Sequence, residues 1–452
     1  MAFYQIKDNS GNSLKRENIS DDEFNKDLDV FRNYSNKTIK NLCENNPNLI
    51  IFPNDNYTKD RIEDLPIFSI TDDENPEIVS GNIMGFVGSG KTQLSITSRF
   101  ASQEDDYFLH YMLSKVLHLN IVDFSANSSN DKIFNLMIYL FPKFLENALR
   151  QGLYKEYKTN HYNDSNVRGV IEINRHIKNN IPFNGKVAYK TREYSYDNNV
   201  TELIRHTIEY LKSLNNISKL LSANSDVQEA VEKIISITPS YDRNARQKVI
   251  VSNIKNVNHS YFTEYLPLQK LCLMILQHKM QKFGNSKKEI YGVLFDGAWL
   301  WEEYLATLLK PEFKHPENKT GKGGIYLFQE NNDDTTVSES KHSRCRRYPD
   351  FYRENKAIVL DAKYKHLDRT VPREDLYQII SYMHVLSSET GGFIYPNDSK
   401  DFDVDSFGTL KGKGGDVNLY GLGIPQNVKS YGDFCKVIEE NEKKLRKKLD
   451  VE

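Results

Sequence analysis

Apolar and polar positions follow helix or strand periods along most of the chain. Residues 1 to about 75 are the exception: they are rich in Asn, Asp and Lys, with short apolar pieces such as Leu49-Ile50-Ile51-Phe52. Such sequence favours turns and caps over long helices, so this part reads as an N-terminal extension of uncertain fold. From Gly81 the texture changes. GNIMGFVGSGKTQLSITSRF has two alternating stretches around a glycine-rich centre, with Leu94, Ile96 and, after a slip, Phe100 on one face. That pattern predicts a β-hairpin turning at Gly88-Ser89-Gly90. Phe108, Tyr111, Met112, Lys115 and Val116 then recur at helical spacing, with Asp105 or Asp106 at the helix start. A second helical block, KIFNLMIYLFPKFLENALRQGLYKEY, is expected to break at Pro142.

VRGVIEINRHIKNN and GKVAYKTREYSYD read as a short β-rich piece. From Asn199 the pattern turns helical, through NVTELIRHTIEYLKSL, DVQEAVEKIISI and YLPLQKLCLMILQHKM. No fixed-period repeat marks a solenoid. The run QHKMQKFGNSKKEI, with Gly284 and Asn285, is the best linker candidate. Beyond it the chain reads as an α/β module. YGVLFDGAWLWEEYLATLL is expected as one amphipathic helix, GIYLFQE, YPDFY, AIVLDAKY and GGFIYP as strands. PREDLYQIISYMHVL is expected as a helix with Pro372 in its first turn, and KVIEENEKKLRKKL as a polar closing helix. The fold class is thus α+β multidomain. Its expected parts are 1–75, then 76–285 (a hairpin followed by mostly helix), then 286–452.

Composition narrows the class. Aromatic residues make up 12 % of the 452, with 27 Tyr and 23 Phe, which excludes a wholly disordered chain. Leu271–Leu276 is six residues, and no apolar run is longer, so no membrane span is expected. The first residues hold no apolar signal core. Cys43, Cys272, Cys345 and Cys435 form no CxxC pair, which argues against a disulfide scaffold or zinc knuckle and fits a cytoplasmic location. Lys plus Arg (60) nearly balance Asp plus Glu (62). Any nucleic-acid contact must therefore come from a local patch or from a partner.

The chemistry concentrates in YPDFYRENKAIVLDAKYK. Asp350 is expected within one short strand and Asp361 at the end of an apolar one, with RENKA as a turn between. A hairpin of this length brings the two carboxylates to one sheet end, and Asp361 and Lys363, two apart, share a face. Paired carboxylates repel unless a divalent cation neutralises them, and Mg²⁺ takes carboxylate, carbonyl and water oxygens. Asp350, Asp361 and the Ala362 carbonyl are the expected metal ligands, and Lys363 would activate water or hold a phosphate oxygen. Gln378 and Tyr382 lie four apart on one helix face downstream. Glu302 and Glu303 lie upstream in WLWEEYLATLL, where only one of two adjacent helical residues can face inward. From Lys341 to Arg369 nine basic residues face four acids. Arg344, Arg346 and Arg347 would flank a DNA backbone.

Gly85 to Thr92, GFVGSGKT, fits the phosphate-loop pattern GxxxxGK[ST]. That motif needs a buried strand before it and a helix directly after. QLSITSRF is strand-like instead, so a nucleotide site is discounted, and the tip Gly88-Ser89-Gly90-Lys91 is kept as a contact element.

Asp350…Asp361-x-Lys363 resembles the PD-(D/E)xK nuclease motif, and Gln378-xxx-Tyr382 resembles its RecB-like branch. The order of elements over residues 80–396 resembles the McrC family. GFVGSGKTQLSITSRF, the segment with Gly169, Ile171, Glu193 and Asp197, LWEEYLATLL, and the nuclease core carry that resemblance. It implies a restriction-endonuclease-like domain at 286–452 and a motor-docking region at 76–285, and it favours Glu302 over Glu303 as a further metal ligand. It also implies a McrB-like AAA+ partner ring that binds and hydrolyses GTP, with double-stranded, modified DNA as substrate. The function implied is a Mg²⁺-dependent endonuclease subunit of a modification-dependent restriction (anti-phage defence) system. The alternatives are an inactive adaptor that only stimulates the motor, and a P-loop NTPase using Gly85–Thr92.

Overall fold

Sheet pairing draws together segments that are far apart in the sequence. In the computed structural model, the residues described are 2–13, 21–46, 49–53, 64–71, 77–90, 92–101, 106–117, 129–214, 218–222, 224–281, 290–316, 324–328, 346–353, 358–367, 370–399, 401–412 and 414–451. They form mixed α and β structure in two compact units, Met1–Asn130 with Lys287–Glu452, and Asp131–Ser286.

In chain order the first elements are β1 (Ala2–Lys7), β2 (Gly11–Ser13), α1 (Asp21–Arg32), α2 (Ile39–Asn45), β3 (Leu49–Phe52), β4 (Phe68–Ile70), β5 (Glu77–Ser80), β6 (Ile83–Ser89), β7 (Thr92–Thr97) and α3 (Tyr107–Val116). Next come α4 (Ser129–Arg150), β8 (Glu156–Asp164), β9 (Val170–Ile171), α5 (Ile173–Asn180), β10 (Val187–Ser195), α6 (Asn199–Lys212), α7 (Ser225–Ile237), α8 (Arg246–Ser252) and α9 (Tyr265–Gln281). The chain ends with β11 (Ile290–Asp296), α10 (Gly297–Leu309), β12 (Ile325–Tyr326), β13 (Arg346–Arg347), β14 (Phe351–Arg353), β15 (Ile358–Ala362), α11 (Arg373–Leu386), β16 (Thr390–Asn397), β17 (Asp403–Thr409), β18 (Asp416–Gly423) and α12 (Tyr431–Lys448).

One five-stranded sheet of the first unit has the order β1-β7-β6-β11-β3. The extension, the hairpin and the start of the last third therefore share one sheet, and the compact units divide the chain differently from the expected 1–75, 76–285 and 286–452. Every residue of β6 is buried, as expected of a strand covered on both faces. Gly85 has φ +127°, and a Cβ there would stand 2.2 Å from the Val293 carbonyl oxygen of β11. Glycine is required where two backbones come this close. A Cβ on Gly88 would meet the Tyr291 ring at 2.7 Å, and the Tyr291 hydroxyl receives the buried Gln93 amide at 2.8 Å. Tyr4, Phe31, Tyr34 and Phe68 meet edge-on in the core beside this sheet, the geometry favoured by ring quadrupoles.

The second sheet of this unit runs β14-β15-β16-β18-β17, with β15, β16 and β18 parallel and antiparallel strands at each edge. Helix α11 packs on it through Ile379, Tyr382 and Met383 against Val359 and Phe393. Gly391 permits that approach, since a Cβ there would be 2.3 Å from the Met383 sulfur. Buried Glu442 of α12 accepts the hydroxyls of Tyr111 (2.8 Å, α3) and Tyr304 (2.7 Å, α10), tying three helices together.

In the other unit α6 opens with a capping box between Asn198 and Thr201 and, with α7, α8 and α9, forms the expected helical part. Strands β8, β10 and β9 form a ribbon exposed over much of its length. Val170, Ile171, Ile173, Ile177, Ile181 and Phe183 are each half or more exposed near one end of it.

Four expectations change. Helix α4 runs through Pro142 without breaking; Ile138, Leu140, Phe141 and Leu145 are buried around it, and tertiary packing outweighs one lost hydrogen bond. INRHIKNN is helix α5, held in its first turn by the Arg175–Glu172 ion pair. YGVLFDGAWLWEEYLATLL divides into β11 and α10 at Asp296, which caps α10 by accepting the Ala298 and Trp299 amides. The first 75 residues hold a 12-residue helix, α1, and strands of the main sheet.

Candidate active site

The hairpin register sets the site. Phe351 pairs with Leu360, so Asp350 stands opposite Asp361, one step past the last ladder pair. Asp350 Oδ2 accepts the Ala362 amide at 2.7 Å. The next amide, Lys363, donates to the Ile394 carbonyl on β16 at 2.9 Å. Successive strand residues turn their amide and carbonyl to opposite edges, so the Ala362 carbonyl faces the Asp350 side. Asp361 is 1 % exposed, and the Lys363 ammonium lies 2.6 Å from its Oδ2. Lys363 also stands 3.4 Å from Asp375 Oδ1 and donates to Gln378 Oε1 at 3.4 Å. Gln378 in turn donates to the Tyr382 hydroxyl at 3.1 Å, which donates to the Tyr348 carbonyl at 3.4 Å. Asp350, Asp361, Lys363, Gln378 and Tyr382 thus form one connected cluster.

Glu302 and Glu303 are each about one-third exposed, and His315 Nε2 stands 3.7 Å from Glu302 and 3.9 Å from Glu303. Of these two glutamates, Glu302 is the one whose charge bears on Asp350. Burial pushes the Asp350 carboxyl well above its usual range, and the Glu302 and Asp361 charges push it further. Burial also raises Asp361, against the pull of Lys363. Burial opposes the Lys363 ammonium, yet Asp361 holds its pKa above the ordinary lysine value, so it stays charged.

Two residues of the cluster escaped the sequence reading. Asp375 lies three before Gln378 and seven before Tyr382 on α11, a spacing that marks one helix face. His315 carries no motif signal. Its Nδ1 lies 2.7 Å from the Asp350 carbonyl oxygen, and its ring stacks on Phe351 at 4.8 Å. Burial lowers its pKa, but Glu303 and the Asp350 carbonyl more than compensate, leaving it above the usual imidazole value.

Among the described residues no three His, Cys, Asp or Glu side chains are gathered into a ready-made metal cluster. The donor chemistry nevertheless fits a hard cation. Buried Asp361 Oδ1 accepts no hydrogen bond among the described residues, and the Glu302 and Asp361 charges both oppose ionisation of Asp350, a repulsion that a bound cation would relieve.

Arg346 and Arg347 form β13, paired with β12. Arg346 donates to the Tyr326 hydroxyl at 2.7 Å and lies over its ring, and Arg347 is exposed. Arg344 and Lys91 lie outside the described residues, as does most of the RENKA turn. Gly88 and Ser89 are buried inside β6, and Ser89 pairs with Thr92, which moves the turn beyond Ser89. The expectation of an exposed tip at Gly88-Ser89 is corrected: Tyr291 fills the space beside Gly88. A strand follows Thr92, so the phosphate-loop pattern serves a hairpin here.

No described helix is long and apolar enough to cross a membrane. The curated proteins offer no match. The structure is similar to a chain of the Thermococcus gammatolerans assembly of McrB AAA+ hexamers with bound McrC, with TM-score 0.52 and 15 % identity over 99 % of this chain and 100 % of that one. A chain of the Thermococcus gammatolerans McrBC complex is matched at TM-score 0.33 and 15 % identity, over 69 % of this chain and 88 % of that one. The sequence model described as McrBC 5-methylcytosine restriction system component matches residues 78–396, well over half the chain. With its McrC-like motifs inside that span, the chain belongs to the McrBC 5-methylcytosine restriction system component family.

Proposed function

We propose that the protein is the DNA-cleaving subunit of a McrBC-like modification-dependent restriction system and that its second sheet is a PD-(D/E)xK nuclease core. The observation that carries this is the Asp350–Asp361–Lys363 group, with Asp361 buried, Asp350 and Lys363 half-buried and Glu302 beside it. Bringing two carboxylates together with one of them buried is costly and persists where a function requires it. Asp350, Asp361, Glu302 and the Ala362 carbonyl would hold Mg²⁺, which when bound supplies charge neutralisation at the scissile phosphate and an acidified water. The chain's own groups do the rest. Lys363, held as an ammonium by Asp361, meets a non-bridging phosphate oxygen. Gln378 and Asp375 fix where its amine points, and Tyr382 fixes Gln378. Exposed Arg347 lies in sequence just before the acids and suits a DNA backbone.

The partner we propose is a McrB-like AAA+ ring, the kind of partner named in the assembly of the structural neighbour, and we propose that this ring binds and hydrolyses GTP. The exposed apolar end of the β8–β10 ribbon is the docking surface we favour, because patches of this kind mark protein contacts. Asp361→Ala tests the reading. With Mg²⁺, partner and modified DNA present, cleavage should be abolished while assembly with the ring persists. Retained cutting would refute the assignment.

A further inference from the structure

The segment after α10 is bound to the hairpin that carries Asp350. Lys314 and Tyr352 exchange both backbone hydrogen bonds, at 2.8 and 3.0 Å. This lays the next residue, His315, along β14. Its side chain is 3 % exposed and its ring is stacked on Phe351 at an interplanar angle of 21°. A carbonyl oxygen only accepts, so at the 2.7 Å contact with the Asp350 carbonyl the donor is the Nδ1–H of His315. That fixes the ring's orientation and leaves Nε2 directed toward Glu302 and Glu303, at 3.7 and 3.9 Å. One buried imidazole therefore touches the main chain of one proposed ligand and faces the side chain of another.

We infer that His315 is a positioning residue that locks the Asp350 backbone and fixes the Glu302–Glu303 turn of α10 relative to it, so that carboxylates from the two elements converge on one cation. The inference rests on the reading of this cluster as a divalent-cation nuclease site. Groups behind metal ligands typically change affinity by about ten- to a hundredfold when removed. They do so without touching the reacting atoms, which separates this role from catalysis.

The test uses the full chain, with Mn²⁺ alone as the calorimetric probe and Mg²⁺ titrations of DNA cleavage with the partner present. His315→Ala should weaken Mn²⁺ binding by about tenfold or more and raise the Mg²⁺ half-saturation by the same factor, with the rate at saturating Mg²⁺ within a few-fold of the unaltered chain. His315→Asn, whose amide can still donate to the Asp350 carbonyl, should recover most of that loss. Melting curves in chelator report whether each variant is folded. Mn²⁺ affinity within about twofold of the unaltered chain in a natively melting His315→Ala overturns the inference. So does a lost saturating rate at unchanged affinity. If His315→Ala does not fold, His315→Asn decides: a native melt with retained affinity supports the lock, and a native melt with affinity lost overturns it. Failure of the unaltered chain to bind Mn²⁺ or cut DNA would instead bring down the nuclease reading itself.

Discussion

Replacing Asp350 by Asn should make the metal-free protein more stable. Asp350 and Asp361 are opposed across an antiparallel pair, where Cα atoms lie about 4.5–5.5 Å apart and side chains share a face. Two unit charges about 5–6 Å apart repel by roughly 3 kcal/mol at an effective dielectric of about 20. Glu302 adds to this, and Lys363 offsets part of it. Asn keeps an oxygen for the Ala362 amide, so the hydrogen bond survives while the charge goes. A net gain of about 1–2 kcal/mol is expected near neutral pH without metal. Mg²⁺ reverses the order: a ligand at a hundred times its Kd stabilises by about 2.7 kcal/mol, and only the unaltered chain should benefit fully. The pH dependence has a definite sign. The folded-state pKa of Asp350 is raised, so its ionisation penalises the fold at neutral pH, and protonation relieves the penalty as pH falls through that raised value toward the ordinary carboxylate range. The advantage of Asn should shrink over the same window. Urea unfolding in chelator and in excess Mg²⁺, at several pH values, measures all three effects. An Asn variant less stable than the unaltered chain in chelator would refute the electrostatic reasoning.

Three further substitutions probe the frame around the site. Glu442→Leu strands two buried tyrosine hydroxyls and should cost about 3 kcal/mol, with Tyr304→Phe costing about 1–2; urea unfolding reads both, and a loss below about 1 kcal/mol for Glu442→Leu would show that the three-helix tie carries little. Gly88→Ala must push the Tyr291 ring away from Gln93 and should cost about 1–3 kcal/mol, with GTP or ATP giving no thermal protection to either form; nucleotide protection that the substitution removes would restore the phosphate-loop reading.

The site was more legible than the frame. Two carboxylates and an amine at hairpin spacing need only a local β-turn to meet, and the Phe351–Leu360 register does that. Helical period put Gln378 and Tyr382 on one face, and the resemblance of Gln378-xxx-Tyr382 to the RecB-like branch singled them out as site residues. His315 was invisible because what gives it a role is the Lys314–Tyr352 bridge, a contact across 38 positions that no local pattern encodes. The hairpin at Gly85–Thr92 was legible from alternation, but the burial of Gly88 was not, since Tyr291 comes from a strand about 200 residues later. Separations of 90 residues from β1 to β7 and 243 from β3 to β11 likewise hid the membership of β1 and β3 in the main sheet. Sequence patterns mark which face of an element is apolar; they do not name the neighbour that covers it. At Pro142 local propensity was simply outweighed by packing.

The placement of β11 between β6 and β3 has a consequence for biosynthesis. Its partner β6 and the hairpin mate β7 are complete by residue 97, and β11 begins at residue 290, about 190 residues later. At about 5–20 residues per second a ribosome needs roughly 10–40 s to bridge that gap. Throughout it, one edge of a strand that is fully buried in the finished fold waits without its neighbour on the nascent chain. That interval is when this polypeptide is most open to wrong pairing, and where a holding chaperone would matter most.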